Sequence, residues 1–177
     1  LSRFDGYGLS SYTVREGLPD RRISDVCETG DGSLWVGTAG ALCRFVPRPT
    51  AGGPLFVVER LADDPETNDV VCLLVTRDGA LWCGTEGGLF RLELRDGGWT
   101  ASLVPIGTGG AVNSLAEDAW GGVWLGTTGE VRLVHTDGRL EAFPLSAIHS
   151  GSRVRSLLVD RTGRLWVGTP RGVVYSD

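Results

Sequence analysis

Proton-transfer chemistry in this chain would rest on very few residues. His135 and His149 are the only histidines, and histidine is the side chain best suited to acid–base work near neutral pH. Neither belongs to a GxSxG, HExxH, P-loop or dinucleotide-binding pattern, and no such pattern occurs in the chain. A lone histidine at a strand end (His135) or in a loop (His149) is most often structural or solvated. Asp31, Asp78, Asp118 and Asp160 recur, but each precedes a glycine within three residues, which is how turns are built. Cys27, Cys43, Cys72 and Cys83 form no CxxC pair and no Cys/His ligand set. Each reads as a small buried hydrophobe in a strand. Were the protein exported, Cys27 and Cys43 would be the pair best placed for a disulfide. No catalytic residue, metal site or cofactor is expected.

Directed hydrogen bonding to a ligand is the richer signal. Arg22, Asn68, Asp69, Asn113, Arg153 and Arg155 stand ahead of, or at the start of, apolar runs. Glu86 and Arg171 stand in short glycine-containing turns. Whether these groups meet depends on the elements that carry them. Those elements are marked by one phrase repeated four times, at 32–38, 79–85, 121–127 and 163–169: Gly-x-Leu/Val-Trp-x-Gly-Thr. Its tryptophans, Trp35, Trp82, Trp124 and Trp166, are 47, 42 and 42 residues apart. A period in the forties, built of strand-length runs and glycine turns, is that of a β-propeller with one blade per repeat.

Each repeat divides alike. A partly alternating run (23–28, 70–75, 112–117, 154–159) is the inner strand a. A polar turn ending in glycine leads to strand b, the repeated phrase itself. Its tryptophan has the size to fill the wedge between neighbouring blades. Its second glycine (Gly37, Gly84, Gly126, Gly168) allows close backbone approach or a bulge. Strand c follows another glycine turn, and a variable strand d ends the blade. The expected blades are 22–60, 69–104, 111–143 and 152–176, with 47–54 an enlarged c–d loop. Residues 1–4 read as a spare strand c. Residues 9–15 read as a strand d, expected to close the fourth blade, which has none of its own. The result is an all-β propeller of about four four-stranded blades: a closed small ring, or part of a seven- or eight-bladed one. Such a piece exposes apolar faces and strand edges, so a second copy or the remainder of a longer protein is the expected partner.

In this architecture the d–a and b–c loops share one end of the axis. That end gathers Arg22, Asn68, Asp69, Asn113, His149, Arg153, Arg155, Glu86 and Arg171, with Asp20 and Arg21 beside them. Arginines and amides converging there suit an anionic or hydroxyl-rich small ligand, a carbohydrate included. The four repeated tryptophans belong to the core. Trp99 and Trp120 break the pattern and are better placed for surface contact.

The phrase resembles the repeat of the two-component regulator propeller family, found in sensor regions of bacterial histidine kinases. The resemblance implies a bacterial, periplasmic or extracellular sensing module, joined in the intact protein to a membrane span and a signalling output. Some propellers with a tryptophan-containing blade phrase are lyases or glycoside-active enzymes, with metal, histidine or paired carboxylates on the axial face. The shortage of histidine argues against that alternative. A third reading is an excised or engineered fragment.

Bulk composition agrees. Apolar residues make up 41% and charged residues 22%, ordinary for a globular domain. No run approaches the ~18–20 apolar residues of a membrane helix, so no membrane contact is expected from this segment. A net charge of −5 disfavours nucleic acid, which selects clustered positive charge. There is no methionine, as expected of a processed or excised piece. All 17 basic residues are arginine, read as codon bias from a GC-rich genome.

Overall fold

The computed structural model describes residues 1–47, 53–63, 66–107, 110–143 and 151–176. A hairpin of β1 (Ser2–Phe4) and β2 (Leu9–Ser11) comes first. Blade 1 is β3 (Ile23–Glu28), β4 (Leu34–Thr38), β5 (Ala41–Phe45) and β6 (Phe56–Glu59). Blade 2 is β7 (Val70–Val75), β8 (Leu81–Thr85), β9 (Gly88–Arg95) and β10 (Gly98–Val104). Blade 3 is β11 (Ser114–Glu117), β12 (Val123–Gly126), β13 (Val131–Val134) and β14 (Leu140–Phe143). Blade 4 is β15 (Ser156–Val159), β16 (Leu165–Thr169) and β17 (Gly172–Tyr175). Every blade is an antiparallel meander. The inner strands β3, β7, β11 and β15 pack one on the next. The fold is the expected all-β propeller arrangement.

Each residue of the repeated phrase has a visible task. Trp35 packs against Val70, Leu81, Phe90 and Leu92 of blade 2. Trp82 packs against Val112, Val123, Leu125 and Val134 of blade 3, and Trp124 lies against Val154, Leu165 and Val167 of blade 4. Each indole is therefore sheltered by the blade that follows. The glycine two residues on receives an aliphatic side chain from that same neighbour. A Cβ on Gly37 would lie 2.5 Å from Val70 Cγ1, and one on Gly84 would lie 2.9 Å from Val112 Cγ1. At Gly126 it would collide with Val154. The threonine pins the next turn: Thr38, Thr85, Thr127 and Thr169 each donate the hydroxyl to a carbonyl three residues on. The carbonyls of Thr85 and Thr127 accept the N–H of Val112 and Val154, both at 3.0 Å, stitching each blade to its successor. That stitching explains why β11 and β15 begin two residues later than expected.

The turn before strand b is built two ways. In blades 1 and 2 a threonine leads, and its hydroxyl donates to Asp31 or Asp78 at 2.6 Å. In blades 3 and 4 an aspartate leads, and Asp118 or Asp160 accepts turn N–H groups directly. Gly32, Gly79, Gly121 and Gly163 all sit at φ of 81–87°, the left-handed region that the turn needs and other residues avoid.

Three expectations need correction. Residues 9–15 do not complete blade 4: β2 pairs with β1, Phe4 opposite Leu9, and the fourth sheet has three strands. The cause is local. Asp5 accepts the N–H groups of Tyr7 and Gly8, closing a short turn between the two strands. The segment then docks on blade 1, where Tyr12 meets Phe45 and Phe56 edge-on at 5.7 and 5.6 Å and Leu18 is buried. Second, the Cys27–Cys43 disulfide considered for an exported protein is not formed: all four cysteines are free, in line with their reading as packing residues in strands. Cys27 faces the blade 2 side, while Cys43 lies in the cluster of Leu18, Val36 and Phe56, so the blade 1 sheet separates them. Third, tryptophan burial is uneven. Trp35 is 0% and Trp82 8% exposed, whereas Trp124 and Trp166 are only half-buried. Trp166 has no following blade among the described residues and stacks on Tyr175 of its own sheet.

Candidate functional site

The d–a and b–c loops do share one end of the propeller. Arg22 and Ser24 of the entry to β3, Ala39 of the β4–β5 turn, and Asp69, Val71 and Glu86 of blade 2 line one shallow cavity of 230 Å³. Three of the expected residues, Arg22, Asp69 and Glu86, thus meet. Arg22 Nε lies 3.5 Å from Asp20. The Arg22 N–H, more than its charge, holds the Asp20 carboxyl below the usual range. Glu86 faces Arg153 at 3.9 Å, which joins blade 2 to the loop entering blade 4. The rim therefore carries two carboxylates, Asp69 and Glu86, flanked by two guanidiniums, Arg22 and Arg153.

Other expected residues are placed differently. Asn68 is buried, and its side chain accepts the Leu61 and Ala62 N–H groups and donates to the Ala62 carbonyl at 2.8 Å. It ties the d–a loop to itself. Arg155 and Arg171 are exposed, and neither has a side-chain bond to the Arg22–Glu86 group. Asn113 is 8% exposed, and neither carboxamide atom has a hydrogen-bond partner; the adjacent Ser114 hydroxyl is also buried and unpaired. Such groups are normally satisfied by ordered water or a ligand atom. Nothing in the sequence marks Ser114 for this, because a strand serine looks the same paired or unpaired.

Residues considered for proton transfer do not converge. His135 Nε2 sits 2.9 Å from Glu141 on the opposite end of blade 3, and His149 lies outside the described residues. Among the described residues no three His, Cys, Asp or Glu side chains are grouped to hold a metal ion. Burial pushes the Cys27, Cys43 and Cys72 thiols up to about 12, and Cys83 well above its ordinary value. These are packing groups and not nucleophiles. Among the described residues no helix is long and apolar enough to cross a membrane.

The profile of one family, described as two component regulator propeller, matches residues 17–40, 64–87, 107–129 and 149–171, more than half of the chain. No match is found among curated protein sequences. Among solved structures, the chain is similar to an extracellular domain from B. thetaiotaomicron assigned to a one component system. Identity is 26% and the TM-score 0.80, over 96% of this chain and 23% of that one. An extracellular domain assigned to a hybrid two component system of the same organism gives 25% identity and a TM-score of 0.77 over the same shares. The chain thus spans about a quarter of the length of these relatives. A virginiamycin B lyase from Staphylococcus aureus gives 16% identity and a TM-score of 0.69, over 90% of this chain and 52% of that one. That likeness concerns the fold alone.

Proposed function

The chain belongs to the two component regulator propeller family, and we propose that it is a non-catalytic, extracytoplasmic ligand-sensing or interaction propeller of a bacterial signal-transduction protein. The observation that carries this reading is the four-repeat family match together with the likeness to extracellular domains of regulatory systems. The Arg22–Asp69–Glu86–Arg153 rim supports it chemically. It offers both donors and acceptors and no poised nucleophile or proton-transfer pair. A small polar ligand bound there would touch blades 1, 2 and 4 together, and so bias how the blades sit relative to one another.

Apolar residues on the outward face of blade 4 support a partner. Leu158 is 62% exposed and Val173 66%, at a place where blades 1 to 3 each receive a neighbour. The proposed occupant is a second copy or a further part of a longer sensor. Sedimentation of this chain should give a mass above the monomer, and a stable monomer at high concentration would rule out the second copy. The sensing role is tested by a thermal-shift screen of amino acids, small carboxylates and monosaccharides. A ligand whose shift disappears in both Arg22→Ala and Glu86→Gln supports it. Chemical conversion of that ligand, detected by mass spectrometry, would move the protein to the enzymes.

A further inference from the structure

At the end of the propeller opposite that rim, two cavities adjoin. One, of 380 Å³, is lined by Leu94, Arg95 and Trp99, the other, of 440 Å³, by Arg77 and Trp120, and Asp78 lines both. The first is bounded by the two strands that the β9–β10 turn joins. In that turn Asp96 stands at φ 50° and Gly97 at φ 79°, as a two-residue hairpin turn with both central residues left-handed requires. Asp96 is the one non-glycine residue at positive φ among the described residues. An L-residue is strained there, because its Cβ crowds a carbonyl oxygen.

The dipeptide Asp-Gly occurs at 5–6, 31–32, 78–79, 96–97 and 137–138. In each the glycine amide nitrogen follows a side-chain carboxyl, and no Cβ on the glycine hinders its approach. The fold separates these pairs. Asp5 accepts the N–H groups of Tyr7 and Gly8. Asp31 accepts the Thr29 hydroxyl and the Ser33 N–H, and Asp78 the Thr76 hydroxyl and the Ala80 N–H. Asp137 accepts the Arg139 N–H. The N–H groups of Gly32, Gly79 and Gly138 donate to the carbonyls of Thr29, Thr76 and His135. Neither constraint acts at 96–97. Among the described residues the Asp96 carboxylate has no hydrogen bond or ion pair, and the Gly97 N–H donates to no backbone carbonyl. Both residues are exposed, and a Cβ on Gly97 would meet nothing within 4 Å, so no neighbour holds the turn in place.

From this contrast we propose that Asp96–Gly97 is a self-modification site, where aspartate converts to isoaspartate and becomes a substrate for a methyltransferase that recognises the isoaspartyl carboxylate. The Gly97 nitrogen forms a bond to Asp96 Cγ. The hydroxyl of the protonated carboxyl leaves with the amide proton as water, and a five-membered succinimide closes. Water then adds to the main-chain carbonyl of the ring and breaks its bond to the Gly97 nitrogen. Gly97 stays attached through Cγ, and the carboxyl released is the former main-chain one. One water is lost and one regained, so the mass is unchanged and no oxidant is needed.

The main chain gains a methylene by this route. A two-residue turn cannot absorb it without shifting Gly98 and Trp99 against their partners Arg95 and Leu94. Trp99 stands edge-on to the buried Trp35, with centroids 5.1 Å apart, so the change reaches an indole pair and the wall of the first cavity. None of this depends on the opposite rim being a sensor site.

The test is prolonged warm incubation of the whole chain at neutral pH. Isoaspartate is located by peptide mapping with electron-transfer fragmentation and quantified by enzymic methyl transfer from S-adenosylmethionine. Isoaspartate at 96 should exceed that at each other Asp-Gly pair about tenfold or more, since freeing a carboxylate from one charge-assisted bond costs at least one such factor. In denaturant all the pairs should react alike, because the protecting bonds are gone. Asp96→Gly keeps the turn conformation and removes the carboxyl; it should fold and lose most methyl acceptance. Asp96→Asn should convert faster than the parent, losing ammonia through the same ring. Tryptophan emission should change in the aged parent and not in aged Asp96→Gly. The proposal falls if isoaspartate is spread evenly over the pairs of the folded chain, concentrates at another pair, or forms at 96 only in denaturant. Unchanged emission after conversion would overturn the coupling to Trp99.

Discussion

Gly126 and Gly168 occupy the same place in the same phrase, yet alanine should be tolerated at only one of them. A Cβ on Gly126 would lie 2.7 Å from Ser114 Oγ and 2.8 Å from Val154 Cβ, and closer still to a Val154 methyl. Serine can rotate away. Valine cannot, because branching at Cβ restricts it to one or two rotamers, and its own Cβ is among the atoms struck. Blades 3 and 4 must therefore move apart. Overpacking of this kind costs about 1–3 kcal/mol. Some of that is offset by the ~0.4–1 kcal/mol that losing a glycine gives through the unfolded chain. The net expected for Gly126→Ala is a destabilisation of roughly 1–2 kcal/mol, or a melting shift of about 2–8 °C at this size. At Gly168 the nearest atom is the Ser156 hydroxyl, and no residue of another blade approaches. Gly168→Ala should therefore change stability by less than about 0.5 kcal/mol. The assay is urea unfolding followed by far-ultraviolet circular dichroism, comparing midpoints at unchanged slope. Equal midpoints for the two variants would refute the idea that these glycines are sockets for the next blade.

Trp82→Ala should cost roughly 3–5 kcal/mol, the usual range for a buried aromatic. Trp166→Ala, half-buried and without a following blade, should cost about 1 kcal/mol, again read from urea midpoints. Native protein should resist thiol labelling by an aromatic disulfide reagent, and all four cysteines should react in denaturant; rapid labelling of Cys72 or Cys83 would contradict their burial. Asp160 is held well below the ordinary carboxylate value of 3.8, first by the Thr162 hydroxyl and then by the Trp166 indole. A depressed folded-state pKa gives stability that is complete above the unfolded value and lost progressively as pH falls from there through the folded value, well below 3.8. The Trp166 indole N–H resonance should therefore broaden or shift on acidification in the parent, and be insensitive over that range in Asp160→Asn.

The blades were legible because their signals are local and redundant. Leu-Trp-Val-Gly-Thr at 34–38 carries the strand, the wedge-filling indole, the close-approach glycine and the turn-pinning hydroxyl within five residues. Tryptophan exposure was not legible, because it depends on whether another blade stands next in space. The N-terminal pairing failed for a related reason. Residues 9–11 have a strand d pattern whichever strand c they join, and the choice is made by Asp5, whose turn brings residues 2–4 to them first. Asn68 shows the limit for the candidate rim. An amide ahead of a strand reads identically whether it awaits a ligand or, as here, ties its own loop. Glu86 and Arg153 lie 67 residues apart, and only the curvature of successive blades brings them together. Trp99 and Trp120 stood out as breaks in the pattern, but the two cavities they line, with Asp78 in the wall of both, depend on the stagger of blades 1, 2 and 3.

The one-way sheltering of the tryptophans has a consequence during synthesis. Each indole is covered by residues that are translated after it. For Trp82 and Trp124 the equivalent tryptophan of the covering blade comes 42 residues later. At about 5–20 residues per second, a nascent blade stays uncovered on its forward side for roughly two to eight seconds. The growing chain therefore always ends in one exposed apolar sheet face, renewed blade by blade. That advancing face is where a ribosome-associated chaperone would have to work, and where two nascent chains on one message would be most prone to join.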